Sequence, residues 1–191
     1  MRTLWLFSDF SGMLRSERTD IMRFKYCPDC SAKLSTKNLG DEKNVPWCDT
    51  CGKPWFEMFP CCIIAIAHRD GKYALIRQHG CDDIKDDRFI CVSGYIKPDE
   101  TAQQAAEREI KEELGLDVLS LRLISTYAYK KKQMLMIGFS AEVGEGDFRL
   151  SDELVEARWF NADEAREKLR NASVGNILFE EIIAQESKKN D

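Results

Sequence analysis

The sequence predicts an α/β fold, in which a mixed β-sheet carries helices on both faces, preceded by a small metal-binding module. Two observations predict the α/β domain: strand-like apolar segments recur between residues 59 and 160, and helical segments are interleaved with them or follow them. Two Cys-x₂-Cys pairs before residue 52 predict the module. With 191 residues, the chain has room for one medium-sized domain and one small module. The predicted segments are a leader of uncertain structure (1–22), the metal-binding module (23–56) and the α/β domain (57–191).

Composition and charge exclude several classes of protein. A hydrophobic content of 43% and a charged content of 32% are typical of a soluble globular protein. A net charge of −5 argues against a general nucleic-acid-binding surface. No apolar run approaches the roughly 20 residues that span a membrane. Four of the eight cysteines are spaced for a metal, which indicates a reducing, cytoplasmic environment rather than a disulfide framework.

The metal-binding module is predicted from the pairs Cys27-Pro-Asp-Cys30 and Cys48-Asp-Thr-Cys51. Each pair fits one tight turn, and two such turns close a tetrahedral thiolate site whose default ion is Zn²⁺. Gly52 suits the turn that follows the second pair. A shell of four cysteines leaves no open position for water, so we expect a structural zinc ribbon rather than a catalytic zinc. A segment of this size depends on the metal to fold.

The α/β domain begins with strands predicted at 61–67 and 72–77, which flank the hairpin signal Asp70-Gly71. A loop is predicted at 78–88 and a short strand at 89–92. The later predicted elements are strands at 119–129, 133–143 and 156–160, a basic turn at 130–132, a helix from a capping box at Asn161 to about 169, and a helix at 176–186. Three further cysteines, Cys61, Cys62 and Cys91, lie in apolar runs and are predicted to fill the core, whereas the role of Cys81 stays open.

A helix is predicted from about residue 102 to the C-terminal Gly115, with a turn at Pro98-Asp99 and Thr101 as its N-cap. At about 100° per residue, Glu109, Glu112 and Glu113 fall within an arc of roughly 100°, on the side that also carries small alanines. On the opposite side, Glu107 and Lys111 are expected to pair. Crowded carboxylates repel one another, and Mg²⁺ or Mn²⁺ is the hard cation that suits their oxygens.

This helix and the loop before it resemble the Nudix box, the signature of hydrolases that cut nucleoside diphosphates linked to another group. Every fixed position of that signature is filled, by Gly94, Glu100, Arg108, Glu109, Ile110, Glu112, Glu113, Gly115 and Leu116. The resemblance implies a Nudix α/β/α sandwich, in which Arg108 reaches back to Glu100 and Gly94 contributes its backbone. It also implies that Glu109, Glu112 and Glu113 are catalytic Mg²⁺ or Mn²⁺ ligands for attack of water on a pyrophosphate phosphorus. The segment 152–160 resembles the part of the family that returns an extra acid to the metals, and Glu153 is the predicted residue.

A zinc ribbon directly before such a domain resembles the NADH pyrophosphatase family in particular. That family cleaves NADH or NAD⁺ to nicotinamide mononucleotide and AMP, some members remove NAD caps from RNA, and it is usually homodimeric. The apolar strand that follows the ribbon, 59–64, is similar to that of the family. The resemblance implies that Tyr95 and Phe56 contact the substrate through their rings and that Gly175 does so through a small-residue turn. Core packing is the alternative for each ring.

One segment departs from the NADH pyrophosphatase pattern. The residues Ser125-Thr-Tyr-Ala-Tyr-Lys-Lys-Lys-Gln133 stand where that family has Ser-Gln-Pro-Trp-Pro-Phe-Pro. The three lysines either meet extra phosphates or solvate a hairpin tip. ADP-ribose or a nucleoside triphosphate is therefore an alternative substrate. A non-catalytic nucleotide sensor that binds nucleic acid is a further alternative, which the intact acid triplet disfavours.

Overall fold

The computed structural model describes residues 24–56, 58–79, 88–169 and 171–188. The predicted leader, Cys81 and most of the predicted loop at 78–88 lie outside these residues. The described chain forms two compact units, one ending at Phe59 and the other beginning at Pro60. Among the described helices, none is long and apolar enough to cross a membrane.

The smaller unit is a three-stranded antiparallel sheet built around the cysteines. Its strands lie side by side in chain order: β1 (Ser35–Leu39), β2 (Glu42–Cys48) and β3 (Lys53–Pro54). Its small core consists of Cys27, Leu34 and Cys48, with Phe24, Ala32 and Trp55 packed against it. Two of the three residues of this core are cysteines, so little apolar surface holds this unit together without a ligand on the sulfurs.

The larger unit is organised by a six-stranded mixed sheet. Its strands are β4 (Cys61–Arg69), β5 (Lys72–Gln78), β6 (Val92–Tyr95), β7 (Val118–Tyr129), β8 (Met134–Val143) and β9 (Leu154–Phe160). The order is β7-β8-β4-β5-β9, and β6 pairs with β4. The pairing of β4 with β8 is parallel, whereas the other ladders are antiparallel. The mixed sheet predicted from the sequence is confirmed.

Most of the predicted strands are confirmed, but the one at 89–92 is shifted. In the structure the strand runs over Val92–Tyr95, because its ladder with β4 begins where Val92 pairs with Ala65. Phe89 and Ile90 form only isolated bridges. The predicted hairpin between β4 and β5 is confirmed: Asp70 and Gly71 both have positive φ, 50° and 70°, as a tight two-residue turn requires.

Three helices cover the two faces of the sheet, namely α1 (Ala102–Leu114), α2 (Ala162–Lys168) and α3 (Val174–Ser187). Alternate residues of β4 point to opposite faces. Ile63 and Ala65 pack in one core with residues of α1, and Ile64 and Ile66 pack in the other with residues of α2 and α3. Cys62 and Cys91 are buried in the second core, as predicted, whereas Cys61 is only half-buried. The predicted α/β/α sandwich is confirmed.

Local signals fix the helix ends that position the acids. Thr101 caps α1 in a reciprocal capping box with Gln104, and Gly115 ends it in the left-handed region at φ 74°. The same box of Asn161 with Glu164 starts α2. The predicted start of α3 at residue 176 was two residues too late, because Ser173 is the N-cap and Val174 is the first helical residue.

Candidate active site and metal centre

The four cysteines of the smaller unit converge on one point. Their sulfur atoms all lie within 4.8 Å of one another. The Sγ atoms of Cys27 and Cys51 are 3.9 Å apart, and those of Cys30 and Cys48 are 3.5 Å apart. Sulfurs at about 2.3 Å from a tetrahedral zinc ion are separated from one another by about 3.8 Å. The donor set and its spacing are therefore compatible with zinc.

Both Cys-x₂-Cys turns close in the same way. The backbone N–H of Ser31 donates to the carbonyl of Cys27, and that of Gly52 donates to the carbonyl of Cys48, each at 2.8 Å. Ser31 and Gly52 have positive φ values of 61° and 68°. The N–H of Cys51 also donates to Cys48 Sγ at 3.3 Å. Each pair thus forms a rigid turn that aims two sulfurs inward, which is the arrangement a structural metal needs.

The thiolate form of cysteine is the metal ligand, and the backbone of the first turn favours it at Cys27. Burial acts to raise the pKa of the Cys27 thiol. Hydrogen bonds from the backbone N–H groups of Cys30 and Asp29 outweigh burial and lower that pKa to about 6. A cation at this position would therefore meet a sulfur that ionises readily.

Arg108 holds the loop before α1 and the acids on α1 together in the larger unit. Its Nε and Nη2 donate to the two carboxylate oxygens of Glu100 at 2.6 and 2.9 Å. Its Nη1 donates to Glu109 at 2.6 Å and to Glu112 at 3.2 Å, and its Nη2 also reaches the carbonyl of Tyr95 at 3.1 Å. One guanidinium group, with donors in a fixed fork, therefore sets the positions of three carboxylates and of the backbone at the end of β6.

The Glu100 carboxylate is an anchor of this arrangement. Hydrogen bonds from Arg108 and from the backbone N–H of Lys97 lower the pKa of Glu100 to about 2. The same contacts raise the pKa of Arg108. Glu100 thus stays ionised throughout the neutral range, and the loop remains tied to the helix.

Glu109 lies against the bare backbone of Gly94. A Cβ built at Gly94 would lie 1.9 Å from Glu109 Oε1 and 2.1 Å from its Cδ. Only 13% of the Glu109 side chain is exposed, and burial raises the pKa of its carboxyl group. Glycine at position 94 is therefore required by the space that Glu109 occupies rather than by an unusual backbone angle.

Glu113 is the most deeply buried of the four predicted acidic ligands. It is 5% exposed, and its Oε2 is buried with no hydrogen-bond partner in the described part of the chain. Burial, followed by the charges of Glu109, Glu153 and Glu112, raises the pKa of Glu113 to about 8. The other three predicted acids therefore all act on Glu113, and one of its oxygens has no partner among the described residues, although such groups are costly to bury.

The carboxylate oxygens of the four acids lie farther apart than the four cysteine sulfurs. Within the described residues, the cysteine set alone brings three or more ligand atoms within 4.8 Å of one another. Glu112 is half-exposed, and Glu153 lies in the exposed turn before β9, where its carbonyl accepts a hydrogen bond from the N–H of His79. Lys111, on the far side of α1, pairs with Asp117 at 2.6 Å. The prediction that Lys111 pairs with Glu107 was wrong, because the chain turns back past Gly115 and brings Asp117 within reach.

The predicted substrate residues occupy different positions. Tyr95 is exposed at the end of β6, beside the loop that Arg108 holds. Phe56 is exposed in the smaller unit. Gly175 does not lie in a turn: it is buried in the first turn of α3, where a Cβ would lie 2.9 Å from Cys91 Sγ. The structure thus gives a packing reason for glycine at this position.

Sequence reasoning missed two polar residues. Lys97 lies with its Nζ 3.9 Å from Glu112 Oε1. Gln78, at the end of β5 opposite Leu154, is 4% exposed, and its buried Oε1 has no hydrogen-bond partner among the residues that the structure describes. Lys97 could have been found from the sequence, because it is a lysine in the loop between Gly94 and Glu100. Nothing in the local sequence pattern marks Gln78.

The signature on α1 and the three-layer fold agree with a comparison to known families. A sequence model described as the NUDIX domain matches residues 60–179, more than half of the chain. The chain belongs to the Nudix family. Its Nudix domain therefore begins at β4 and includes every acid described above.

Two curated relatives of this Nudix protein share a name. The protein named "NAD-capped RNA hydrolase NudC" from Vibrio vulnificus (strain CMCP6) is 26% identical over 167 residues, which cover 86% of this chain and 60% of that protein. The protein of the same name from Escherichia coli O9:H4 (strain HS) is 28% identical over 165 residues, with 84% and 60% covered. The chain thus spans about 60% of the length of the curated relatives it matches.

Solved structures show the same Nudix fold. A crystal structure of a NUDIX hydrolase from Nitrosomonas europaea superposes with a TM-score of 0.65 at 20% identity, covering 83% of this chain and 88% of that one. A second NUDIX hydrolase from the same organism superposes with a TM-score of 0.58 at 26% identity, covering 67% and 90%.

Proposed function

We propose that this protein hydrolyses the pyrophosphate bond of a nucleoside diphosphate-linked substrate with the help of Mg²⁺ or Mn²⁺, and that NADH or NAD⁺ is cleaved to nicotinamide mononucleotide and AMP. The observation that carries the proposal is the unpartnered, buried Oε2 of Glu113 among three further acids. Burying such a group costs free energy unless a cation or hydrogen-bond donor joins it. A divalent cation would be the partner that this buried oxygen lacks.

The residues present fit such a cation. Glu109, Glu112, Glu113 and Glu153 offer the hard oxygen ligands that Mg²⁺ and Mn²⁺ prefer. When bound, a divalent ion neutralises phosphate charge and acidifies water. The chain itself positions these acids: Gly94 leaves room for Glu109, and Arg108 holds Glu109 and Glu112 while Glu100 holds Arg108. We assign Zn²⁺ to the four cysteines in a structural role.

The nicotinamide dinucleotide assignment is supported by the name of the relatives and by the exposed ring of Tyr95, the residue whose backbone carbonyl accepts a hydrogen bond from Arg108. In this proposal Tyr95 stacks on the nicotinamide, because its ring is free to do so at the end of β6. Phe56 and Gly175 remain predicted contacts. An NAD cap on RNA presents the same pyrophosphate and is a second form of the substrate.

The experiment compares the wild-type protein with Glu113→Gln and Glu112→Gln. Products from NADH, NAD⁺, ADP-ribose, FAD and NAD-capped RNA are separated by chromatography in Mg²⁺ or Mn²⁺. Loss of a metal-binding catalytic group should cost about 3 kcal/mol or more, a decrease of roughly 100-fold in kcat/KM. Hydrolysis by both variants within a few-fold of wild type would remove the assignment of these acids.

A second candidate function is hydrolysis of another nucleotide, such as ADP-ribose or a nucleoside triphosphate. It is favoured by the segment that departs from the NADH pyrophosphatase pattern. That segment forms the end of β7 and a 3₁₀ turn at Lys130–Lys132, the tip of the hairpin with β8. It does not contain the Trp-Pro-Phe-Pro sequence of that family. The same product panel separates the two functions, because only cleavage of the dinucleotide releases nicotinamide mononucleotide.

A further inference from the structure

Lys97 is a cation at the rim of the acid cluster that the signature does not explain. Its Nζ lies 3.9 Å from Glu112 Oε1, and both side chains are about half-exposed, at 49% and 50%. Its positive charge also acts on Glu109 and on Glu100. The ammonium group is therefore close enough to the acids to neutralise them and open enough to solvent to meet a ligand.

The backbone of Lys97 is fixed, whereas its side chain is half-exposed. Its N–H donates to Glu100 Oε2 at 2.9 Å, and its carbonyl accepts from the N–H of Glu100 at 3.2 Å. Glu100 is in turn held by Arg108. Pro98 follows and favours an extended conformation at Lys97. A change of the Lys97 side chain therefore leaves the loop in place, because the contacts that hold the loop are made by its backbone.

The charge balance of the site gives this lysine a role. Arg108 is shared among Glu100, Glu109 and Glu112 and is committed to holding them. A nucleoside pyrophosphate is an anion, and the cluster of four acids, Glu109, Glu112, Glu113 and Glu153, repels it. A divalent cation bound to Glu112 would displace the Lys97 ammonium group from that carboxylate. The four-carbon stem of the lysine then allows its ammonium group to move toward the incoming phosphate.

We propose that Lys97 neutralises Glu112 before a divalent cation binds and contacts the substrate phosphate afterwards. The inference rests on the proposed function and adds to it a substrate-binding residue outside the acid set. Lys97 therefore has two opposite effects on affinity: it weakens cation binding by the free protein, and it strengthens binding of the anionic nucleotide. A lysine that only solvated the surface would do neither.

The test measures Mn²⁺ binding and nucleotide hydrolysis separately in the zinc-loaded protein. Free Mn²⁺ is titrated by electron paramagnetic resonance without nucleotide, and KM and kcat for NADH or ADP-ribose, whichever the wild type cleaves, are measured at saturating Mn²⁺. In Lys97→Met we expect the Kd for Mn²⁺ to fall roughly threefold to fivefold, as for a half-exposed ion pair. We expect KM to rise about fivefold to tenfold with kcat within about twofold, because a contact made equally in the ground and transition states is lost.

Two matched variants complete the test. Lys111→Met removes the same charge from α1 on the side that pairs with Asp117, and it should leave both constants unchanged. Lys97→Arg keeps the charge and should stay close to wild type in both. If Lys97→Met matches Lys111→Met in its Kd for Mn²⁺ or in its KM, the role of Lys97 is wrong even though wild-type turnover stands. If the wild type binds no Mn²⁺, the proposed metal site fails and Lys97 with it.

Discussion

Glu109 occupies the space that a side chain at Gly94 would need: a Cβ there would lie 1.9 Å from Glu109 Oε1 and 2.7 Å from Glu109 Cγ. Gly94 sits on β6 opposite Ile63, so its backbone is held by a ladder and has little freedom to retreat. Two fixed positions of the signature, fifteen residues apart in the chain, thus form one packing contact. That contact places Glu109, the first predicted metal ligand on α1, against β6.

Gly94→Ala should therefore damage the site without unfolding the protein. The added methyl group displaces the Glu109 carboxylate, and a displacement of about 1 Å in a catalytic site can cost roughly 100-fold in rate. We expect a decrease in kcat/KM of that order and weaker Mn²⁺ binding, with an unchanged circular dichroism spectrum. Gly144→Ala is the control, because the nearest atom to its Cβ is 3.7 Å away. Equal activity of the two variants would show that Glu109 has another position available.

The Glu100–Arg108 pair should make stability depend on acid pH. Folding lowers the pKa of Glu100 from its usual 4.5 to about 2. Its contribution to the free energy of unfolding is therefore complete above pH 4.5 and is lost as the pH falls toward 2. Glu100→Gln should be less stable than wild type at pH 7, and the difference should shrink between pH 4.5 and pH 2. Urea midpoints measured across this range provide the test.

Glu107→Gln is the matched control for that series, since it changes an exposed acid of the same helix. Its urea midpoint should follow that of the wild type at every pH. A difference between Glu100→Gln and wild type that stays constant from pH 7 to pH 2 would contradict a role for the Glu100 charge.

The cysteine cluster predicts a zinc-dependent smaller unit. Cys51→Ser should reduce the zinc content from about one ion per chain to near zero, because three thiolates no longer close the tetrahedral shell. The near-ultraviolet circular dichroism of Trp47 and Trp55 should be lost with the metal, since the small core does not hold the unit alone. Cys61→Ser should keep its zinc, because Cys61 is not among the four clustered thiols. Full zinc content in Cys51→Ser would exclude the four-thiolate assignment.

Variants at Gly175 distinguish a role of this residue in core packing from a role in substrate binding. In Gly175→Ala the new Cβ meets Cys91 Sγ at 2.9 Å in a filled core, and overpacking of this kind costs about 1–3 kcal/mol. We expect this loss in urea unfolding followed by far-ultraviolet circular dichroism, which reports the described helices, all in the larger unit. Cys91→Ala should relieve the clash, so the double variant should be more stable than the sum of the single effects predicts. Unchanged stability with a raised KM would favour the predicted contact of Gly175 with substrate instead.

The boundaries of α1, the start of α2 and the turn between β4 and β5 were predicted well from the sequence because their causes are local. The capping boxes at Thr101 and Asn161, the left-handed Gly115 and the turn at Asp70-Gly71 each involve residues within a few positions of one another. Where a boundary depended on a distant partner, prediction was poorer. The strand at Val92 starts where β4 offers Ala65 as its partner, and the residues before it do not encode that register.

The sequence by itself determined which acids share a side of α1, which four thiols are spaced for one metal, and that a mixed sheet carries helices on both faces. Periodicity and spacing are enough for these, since they follow from the geometry of one helix or one turn. Only the tertiary structure decided how the three glutamates differ, with Glu113 buried without a partner for Oε2, Glu109 pressed against Gly94, and Glu112 half-exposed beside Lys97. Burial depth and charge neighbours depend on how the sheet and the loop after β6 meet α1, and those contacts join residues far apart in the chain.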